Sequence, residues 1–163
     1  MKTVADIHPG QGEEIVEVEA KVAPRTQSRR VALQALYVWE MTNEEPLVII
    51  KNFNEDGMLT ELDFDLFKEL LTEISEQALS LDALYADYLD RSVSMIDPVE
   101  RAIMRIGSYE LQAKPEIPYR VIINECVELT KRFGAEEAHK FVNGILDKVA
   151  KQLRALEFEA KNK

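Results

Sequence analysis

Apolar residues recur every three or four positions along most of this chain, a spacing that places them on one face of an α-helix. The segment 118–133 is the clearest example, with Ile122 and Phe133 on its apolar face. Pro118 suits a first helical position, and Gly134 suits the left-handed residue that ends many helices. The pattern predicts one helix over this segment.

A second helix is predicted to begin at Glu136, directly after a polar elbow. Glu136 and Glu137 lie in its first turn, where the helix dipole favours negative charge. Apolar residues then follow at helical spacing along one face for about five turns, and we expect this face to be buried against the preceding helix. The face consists of Ala138, Phe141, Val142, Ile145, Val149, Leu153 and Leu156.

Three further segments carry helical signals upstream. A helix with basic first turns is predicted from Pro24 to Met41, and a short helix from Pro46 to Phe53. The apolar run Leu47-Val48-Ile49-Ile50 is also compatible with a strand, since its branched residues favour strands. Residues 63–91 keep helical spacing, with a break expected near Ser80.

Another helix is predicted to begin after Asp97, between the segments described above. Asp97 suits an N-cap because a proline follows it and Glu100 completes a capping box. This helix is predicted to end before Pro115. Glycine inside a helix costs up to ~1 kcal/mol relative to alanine. Gly107 and Gly144 both fall inside predicted helices, and we expect close packing against a neighbouring helix to compensate at each.

These segments predict an all-α protein, a compact bundle of about seven helices with short connections. The chain shows no internal repeat and no convincing alternating strand, and 163 residues suit one domain. We assign residues 23–157 to a single helical domain. Residues 1–22 are polar and acidic, which indicates a disordered N-terminal extension, and residues 158–163 are assigned to a C-terminal tail.

Composition narrows the setting in which the chain works. It is 46% hydrophobic and has one cysteine, so neither a disulfide framework nor a cysteine-based metal cluster is expected. No apolar run approaches the ~18 residues of a membrane span. The N-terminus lacks the apolar core of a secretory signal. We therefore expect a soluble, cytoplasmic protein.

Charge is distributed unevenly around a net value of −10. Residues 21–34 carry four basic groups and no acidic group, whereas residues 35–100 carry three basic and sixteen acidic groups. Residues 101–163 carry twelve basic and nine acidic groups. A net acidic protein is an unusual ligand for a polyanion, but the basic patch predicts a surface for RNA and the acidic middle a surface for a basic protein.

Catalytic motifs are absent from the sequence. It has no glycine-rich phosphate loop, no Gly-x-Ser-x-Gly elbow and no His-Glu-x-x-His. The two histidines are His8, in the extension, and His139, which we interpret as a hydrogen-bonding residue on a helix surface or between helices. We expect no enzyme activity, no metal site and no cofactor.

The basic patch is the strongest candidate for binding. We call residues 24–30 the basic arm, since Arg25, Arg29 and Arg30 all lie in it. Guanidinium groups make multidentate contacts with phosphate, and a basic segment that is unfolded alone is able to order on RNA. The alternative is an ordinary solvated helix start, and the spacing of the arginines does not decide between the two.

Three blocks of sequence, in this order, carry a family resemblance. They are VALQALYVWE at 31–40, PVERAIMRIGSYEL at 98–111 and IPYRVIINECVELTKRFGAEEAHKFVNGILDKVA at 117–150. Together they resemble the NusB family of bacterial transcription antitermination factors over about residues 24–154. The resemblance implies a helical fold of two subdomains that binds boxA RNA together with NusE, a small-subunit ribosomal protein. It also implies assembly with other Nus factors and RNA polymerase, and suppression of termination in ribosomal RNA operons.

The resemblance also implies roles for individual residues. It places the NusE contact at Tyr37 and Glu100, and it places RNA contacts in the basic arm, at Arg120 and around the polar elbow that precedes Glu136. Glu137 there is a position at which the family is expected to tune RNA affinity. The complete RNA-binding set is Arg25, Arg29, Arg30, Arg120, Lys131, Glu137, Lys140 and Phe141.

The basic arm departs from the family pattern, because Thr26, Gln27 and Ser28 dilute its arginines. Fewer phosphate contacts predict weak RNA binding by the protein alone, strengthened when NusE adds a joint surface. Two alternatives remain. One is a homodimeric helical interaction module without specific RNA binding. The other is the RNA-binding part of a ribosomal RNA cytosine methyltransferase, which the length disfavours.

Overall fold

Eight α-helices and two short 3-10 helices, joined by short loops, lie within residues 21–161, which are the residues that the computed structural model describes. The helices are α1 (Pro24–Thr42), α2 (Pro46–Glu55), α3 (Phe64–Glu76), α4 (Ala78–Tyr85), α5 (Pro98–Ala113), α6 (Tyr119–Phe133), α7 (Ala138–Leu153) and α8 (Ala155–Lys161). The 3-10 helices are Ala86–Tyr88 and Val93–Met95. The all-α prediction is confirmed. The disordered extension was predicted over residues 1–22. Residues 1–20 lie outside the described residues, and residues 21–22 precede α1 without regular secondary structure.

The helices form two groups around one hydrophobic core. Helices α1, α2 and α3 pack against one another, while α4 to α7 form a second group centred on α5. Contacts of α1 with α5 join the groups. Ion pairs between Arg29 and Glu110 and between Glu40 and Arg101 show that α1 and α5 run antiparallel. No helix in the described part of the chain is both long and apolar enough to cross a membrane.

The upstream helices follow their apolar spacing, with one displaced break. The run at residues 47–50 is helical, so the strand alternative is wrong. The segment 63–91 breaks at Gln77, which lies between α3 and α4, and not at Ser80. Helix α3 buries Phe67 and Leu70 completely. Burial of a side chain of this size stabilises a fold by roughly 1.5–3 kcal/mol.

The sequence predicted the N-cap of α5 correctly, but it misplaced the first residue of α6 and the conformation that ends it. Asp97 caps α5 as expected, because its side chain accepts hydrogen bonds from the backbone N–H groups of Val99 and Glu100. Pro118 is the N-cap of α6 and not its first helical residue. Gly134 ends α6 in an extended conformation, with φ −89° and ψ −178°, so the predicted left-handed stop is wrong. A Cβ at Gly134 would lie 2.9 Å from the Thr130 carbonyl oxygen, and close approach explains the glycine.

Helix α7 is shorter than its apolar pattern predicted. It ends at Leu153, and Arg154 separates it from α8. Leu156 is consequently 80% exposed and not part of the buried face. Residues 158–161, assigned to a tail, continue α8, and the Phe158 ring stacks on Tyr119 with 4.3 Å between the centroids.

Arg154 explains why the chain turns at that point. Its side chain is buried and donates hydrogen bonds to the carbonyl oxygens of Leu111 (2.8 Å), Lys114 (2.8 Å) and Ile117 (3.0 Å). These oxygens lie at the end of α5 and in the connection that follows, where a helix leaves its last carbonyls without intrahelical partners. Arg154 therefore ties the end of α7 to the end of α5.

The two helical glycines have opposite surroundings. A Cβ at Gly107 would lie 2.7 Å from Leu146 Cδ1 and 3.1 Å from Cys126 Sγ, so the predicted close packing is confirmed there. At Gly144 a Cβ would meet nothing within 4 Å, so the same prediction is wrong at that position.

Candidate nucleic-acid interface

Arg29, predicted as an RNA contact, lies in the protein interior. Its side chain is only 4% exposed, and Nε and one terminal nitrogen each donate a hydrogen bond of 2.8 Å to the Glu110 carboxylate. Burial lowers the pKa of Arg29, but the hydrogen bonds and attraction of Glu110 outweigh burial and raise it above its usual range. The guanidinium is therefore committed to α5, and its assignment to RNA is corrected to a structural role.

The basic arm as a whole is the first part of α1 and is not an unfolded segment. Thr26 Oγ1 donates a 3.0 Å hydrogen bond to Glu125 on α6, and the same carboxylate lies 3.7 Å from Arg29. Ser28 is buried and donates a 2.6 Å hydrogen bond to the Asp63 carbonyl oxygen. Because these contacts fix the start of α1 against α3 and α6, the arm is already ordered in the free protein.

Arg25, Arg30 and Arg120 provide basic side chains at one end of the bundle. Arg25 is half exposed, with its nearest carboxylate oxygen, on Asp63, at 4.0 Å. Arg30 is half-buried on the next turn. Arg120 is exposed, and its guanidinium lies 6.0 Å from the centre of the Tyr119 ring. Since α1 and α5 are antiparallel, the starts of α1 and α6 both lie near the C-terminal end of α5.

Lys131, Lys140 and Phe141 lie at the opposite end of α6, around the elbow between α6 and α7. Lys131 lies 3.5 Å from the Glu128 carboxylate, and Lys140 lies 2.7 Å from Glu137. Glu137 adopts a left-handed backbone conformation, with φ 69°, immediately before α7. Each lysine is thus paired with an acidic residue three positions earlier, which reduces the positive potential that RNA would meet.

The predicted RNA contacts therefore form two groups and not one patch. Arg120 and Lys131 are eleven residues apart on α6, which corresponds to about 16 Å along the helix axis. An RNA strand that touched both groups would have to run along this helix.

Arg91 belongs to the second group, although the sequence patterns did not identify it. Its guanidinium lies 5.4 Å from the centre of the Phe141 ring, its side chain is half exposed, and its Nε donates a 3.0 Å hydrogen bond to the exposed Asp90 carboxylate. Burial and the nearby Asp97 carboxylate raise the pKa of Glu100, while the positive charge of Arg91 lowers it in part. Arg91 therefore lies beside Phe141, a predicted RNA contact, and its charge also acts on Glu100, a predicted protein contact.

Tyr37 and Glu100 lie where the last turns of α1 meet the first turn of α5. Arg101, next to Glu100, donates a 2.8 Å hydrogen bond to Glu40, which lies one turn after Tyr37. Arg105 pairs with both Glu40 and the buried Asp82. These ion pairs fix the two helix ends relative to each other.

A groove of about 790 Å³ opens beside this network. Its walls come from the end of α1, the junction of α3 with α4, the second 3-10 helix and α5. Trp39, Leu79 and Val93 supply apolar lining, while Glu40 and Arg101 supply charge. Leu79 is 84% exposed, which is unusual for a leucine in a folded domain. The region has the mixed apolar and charged character of a protein-binding surface.

Outside these surfaces, the described residues include neither a reactive thiol nor a candidate metal site. Cys126 is fully buried, and burial raises the pKa of its thiol well above the usual value. Among the described residues, no group of three or more histidine, cysteine, aspartate or glutamate side chains is arranged to hold a metal ion.

Comparison with known proteins identifies the family. The family model described as the NusB family matches residues 26–151. The transcription antitermination protein NusB of Hydrogenovibrio crunogenus is 57% identical over 154 residues, which cover 94% of this chain and 96% of that protein. The corresponding protein of a Marinomonas species is 48% identical over 84% of this chain and 80% of that protein. These relatives are transcription antitermination proteins, which confirms the expectation that the chain is not an enzyme.

Solved structures agree with the fold. A crystal form of T. maritima NusB is 30% identical, with a TM-score of 0.66 over 80% of this chain and 93% of that one. A structure of the antitermination factors NusB and NusE in complex with double-stranded RNA contains a chain 26% identical to this one, with a TM-score of 0.68 over 78% of this chain and 96% of that one. Together with the family match over most of its length, these findings establish that the chain belongs to the NusB family.

Proposed function

We propose that this protein binds boxA RNA jointly with NusE and thereby suppresses termination in ribosomal RNA operons, working in the cytoplasm with other Nus factors and RNA polymerase. The observation that carries the proposal is the position of the Arg91 guanidinium over the Phe141 ring, with Lys140 next to that ring in the chain. The related NusB chain solved with NusE and double-stranded RNA supports both partners.

Phe141 and its neighbours have the chemistry of a site for unpaired bases. The ring is partly exposed, Arg91 lies 5.4 Å from its centre, and Lys140 precedes it with its side chain 73% exposed. Single-stranded nucleic acids are held by aromatic rings that stack on bases and by nearby cations that contact phosphates. A base that stacks on Phe141 would displace or sandwich Arg91, whose charge would then face the phosphates.

Weak binding by the protein alone is consistent with the ion pairs of this surface. Lys131, Lys140 and Arg25 each have a carboxylate oxygen within 4.0 Å, so their charge is partly neutralised before RNA arrives. NusE bound near Tyr37 and Glu100 would lie next to Arg91 and contribute to the same RNA surface. Cooperativity would then be reciprocal, since RNA must strengthen NusE binding by the factor by which NusE strengthens RNA binding.

Fluorescence anisotropy of labelled boxA RNA tests the proposal. Binding is measured against a scrambled RNA of equal length, with and without NusE, across a salt series. We expect selective binding that NusE strengthens and that the double variant Lys140→Ala, Phe141→Ala weakens. Lys51→Ala is the matched control, because Lys51 is exposed on α2, whose main contacts are with α1 and α3.

Equal affinity for both RNAs in the presence of NusE would contradict the proposal. Sedimentation of the same samples would then distinguish the alternative function, a homodimeric interaction module. A dimer that persists in the presence of RNA and NusE would favour that alternative.

A further inference from the structure

Gly144 is an exposed glycine in the middle of α7, and the packing of the protein does not explain it. A Cβ at this position would meet nothing within 4 Å. Gly107 differs, since a Cβ there would collide with Leu146. Glycine weakens the interior of a helix, and its usual compensation is the close approach of another backbone or a ligand. Within the described part of the chain, no such group approaches Gly144.

The helix surface around Gly144 is polar and basic. Lys140 and Lys148 are four residues away on either side, so they flank the glycine on the same face of the helix. Lys148 is exposed and makes no ion pair with the described residues, whereas Lys140 pairs with Glu137 and Lys151 with Asp147. The positive charge of Lys148 is therefore not offset by a paired carboxylate, unlike the charges of Lys140 and Lys151.

A shallow groove lies beside this face, between α6 and α7. Its volume is about 370 Å³, and its polar lining includes Arg120, Asn124, Asn143 and Asp147, whose carboxylate pairs with Lys151. Both asparagines are exposed, so their amides are available to a ligand. The groove extends from Arg120, in one group of predicted RNA contacts, toward the helix that carries Lys140, in the other.

We propose that Gly144 is a close-approach point for the sugar–phosphate backbone of an RNA strand, with Lys148 as its phosphate contact. This inference rests on the function proposed above and extends the RNA path from Phe141 along α7. Lys140 and Lys148 are about 12 Å apart along the helix axis, so a strand passing over Gly144 would lie between two cations. Charge favours RNA over a protein partner at this point, because Lys140 and Lys148 flank the glycine, and the one carboxylate within four residues on α7, that of Asp147, pairs with Lys151. Phe141, three residues before the glycine, is only partly exposed.

Two variants test separate parts of this inference. Gly144→Ala adds one methyl group without changing charge, and Lys148→Gln removes one charge without adding bulk. Lys51→Gln on α2 is the control for loss of an exposed lysine. Each is measured for boxA binding in the presence of NusE across a salt series, for NusE binding without RNA, and for urea unfolding.

We expect Gly144→Ala to weaken RNA binding at least threefold, with an unchanged salt slope and an unfolding free energy no lower than that of the wild type. Lys148→Gln should also weaken RNA binding, and its salt slope should become shallower by about 0.7. Lys51→Gln should bind RNA as the wild type does.

Wild-type affinity in Gly144→Ala would overturn the inference while leaving the proposed function intact. A loss of NusE binding in the absence of RNA would also overturn it, because the glycine would then contact the protein partner. Lower stability of Gly144→Ala would indicate an internal packing role and would overturn it as well. If the wild type itself fails to prefer boxA, the proposed function fails and this inference fails with it.

Discussion

The buried ion pair between Arg29 and Glu110 makes a strong prediction about stability. Arg29→Ala would leave the Glu110 carboxylate, which is 0% exposed, without the two 2.8 Å hydrogen bonds that now compensate its charge. Removal of one partner of a buried pair costs about 3–5 kcal/mol. A domain of this size is stable by about 5–15 kcal/mol, so the variant is expected to lose a large part of its stability.

Urea unfolding followed by circular dichroism measures this loss. Arg25→Ala is the matched control, because Arg25 is half exposed with Asp63 only at 4.0 Å, and a surface pair contributes about 0–1 kcal/mol. The double variant Arg29→Met, Glu110→Met should recover most of the stability, since apolar side chains of similar volume often replace a buried pair without loss. Because Arg29 does not reach the surface, this double variant should bind RNA as the wild type does.

One result would refute the structural role of Arg29. If Arg29→Ala unfolds within about 1 kcal/mol of the wild type and yet loses RNA binding, the arginine acts on RNA directly. The start of α1 would then have to rearrange in the complex, as the interpretation of the basic arm as an RNA contact requires.

Three further predictions concern the elbow, acid stability and core packing. Glu137→Gln should strengthen RNA binding about two- to fivefold in anisotropy titrations, because it frees Lys140 from a surface pair of about 0.4–1 kcal/mol; unchanged affinity would contradict the inference that this pair competes with RNA for Lys140. Burial raises the pKa of Glu69, but hydrogen bonds from Lys114 and Tyr109 lower it more, so the net pKa lies below the ordinary 4.5. The stabilising contribution of Glu69 is therefore present at neutral pH and is lost as the pH falls below about 4.5, and Glu69→Gln should show a smaller acid-induced loss in urea titrations. Gly107→Ala should destabilise by about 1–3 kcal/mol in thermal unfolding, since the new methyl group would meet Leu146 at 2.7 Å, and a stable variant would contradict that packing.

Apolar spacing was sufficient to locate the helices because a helix is stabilised by contacts among residues a few positions apart and by one buried face. Segment 118–133 and the start at Asp97 were predicted within a residue or two. The errors lie at helix ends. Glu137 takes a left-handed conformation and delays α7, and Arg154 ends α7 because its side chain reaches the end of α5.

The candidate site was only partly predictable. The family resemblance identified Lys140 and Phe141, but no local pattern indicated that Arg91, about fifty residues earlier, lies over the Phe141 ring. Nor did spacing distinguish Arg29 from Arg25. Both are arginines in the first two turns of α1, and only the position of Glu110 on the neighbouring helix makes one of them internal.

By itself, the sequence determined the all-α class, the approximate extent of α1 to α7, and the resemblance to the NusB family, while α8, the eighth helix, was not predicted. These properties follow from periodicity and from contiguous motifs. Only the tertiary structure decided which charged side chains are paired inside the protein and which remain exposed to a ligand. Arg101, Arg105 and Lys114, from the basic half, neutralise Glu40, Asp82 and Glu69 in the acidic middle. The physical reason is that an ion pair depends on which helices are adjacent, and adjacency results from packing of the whole core.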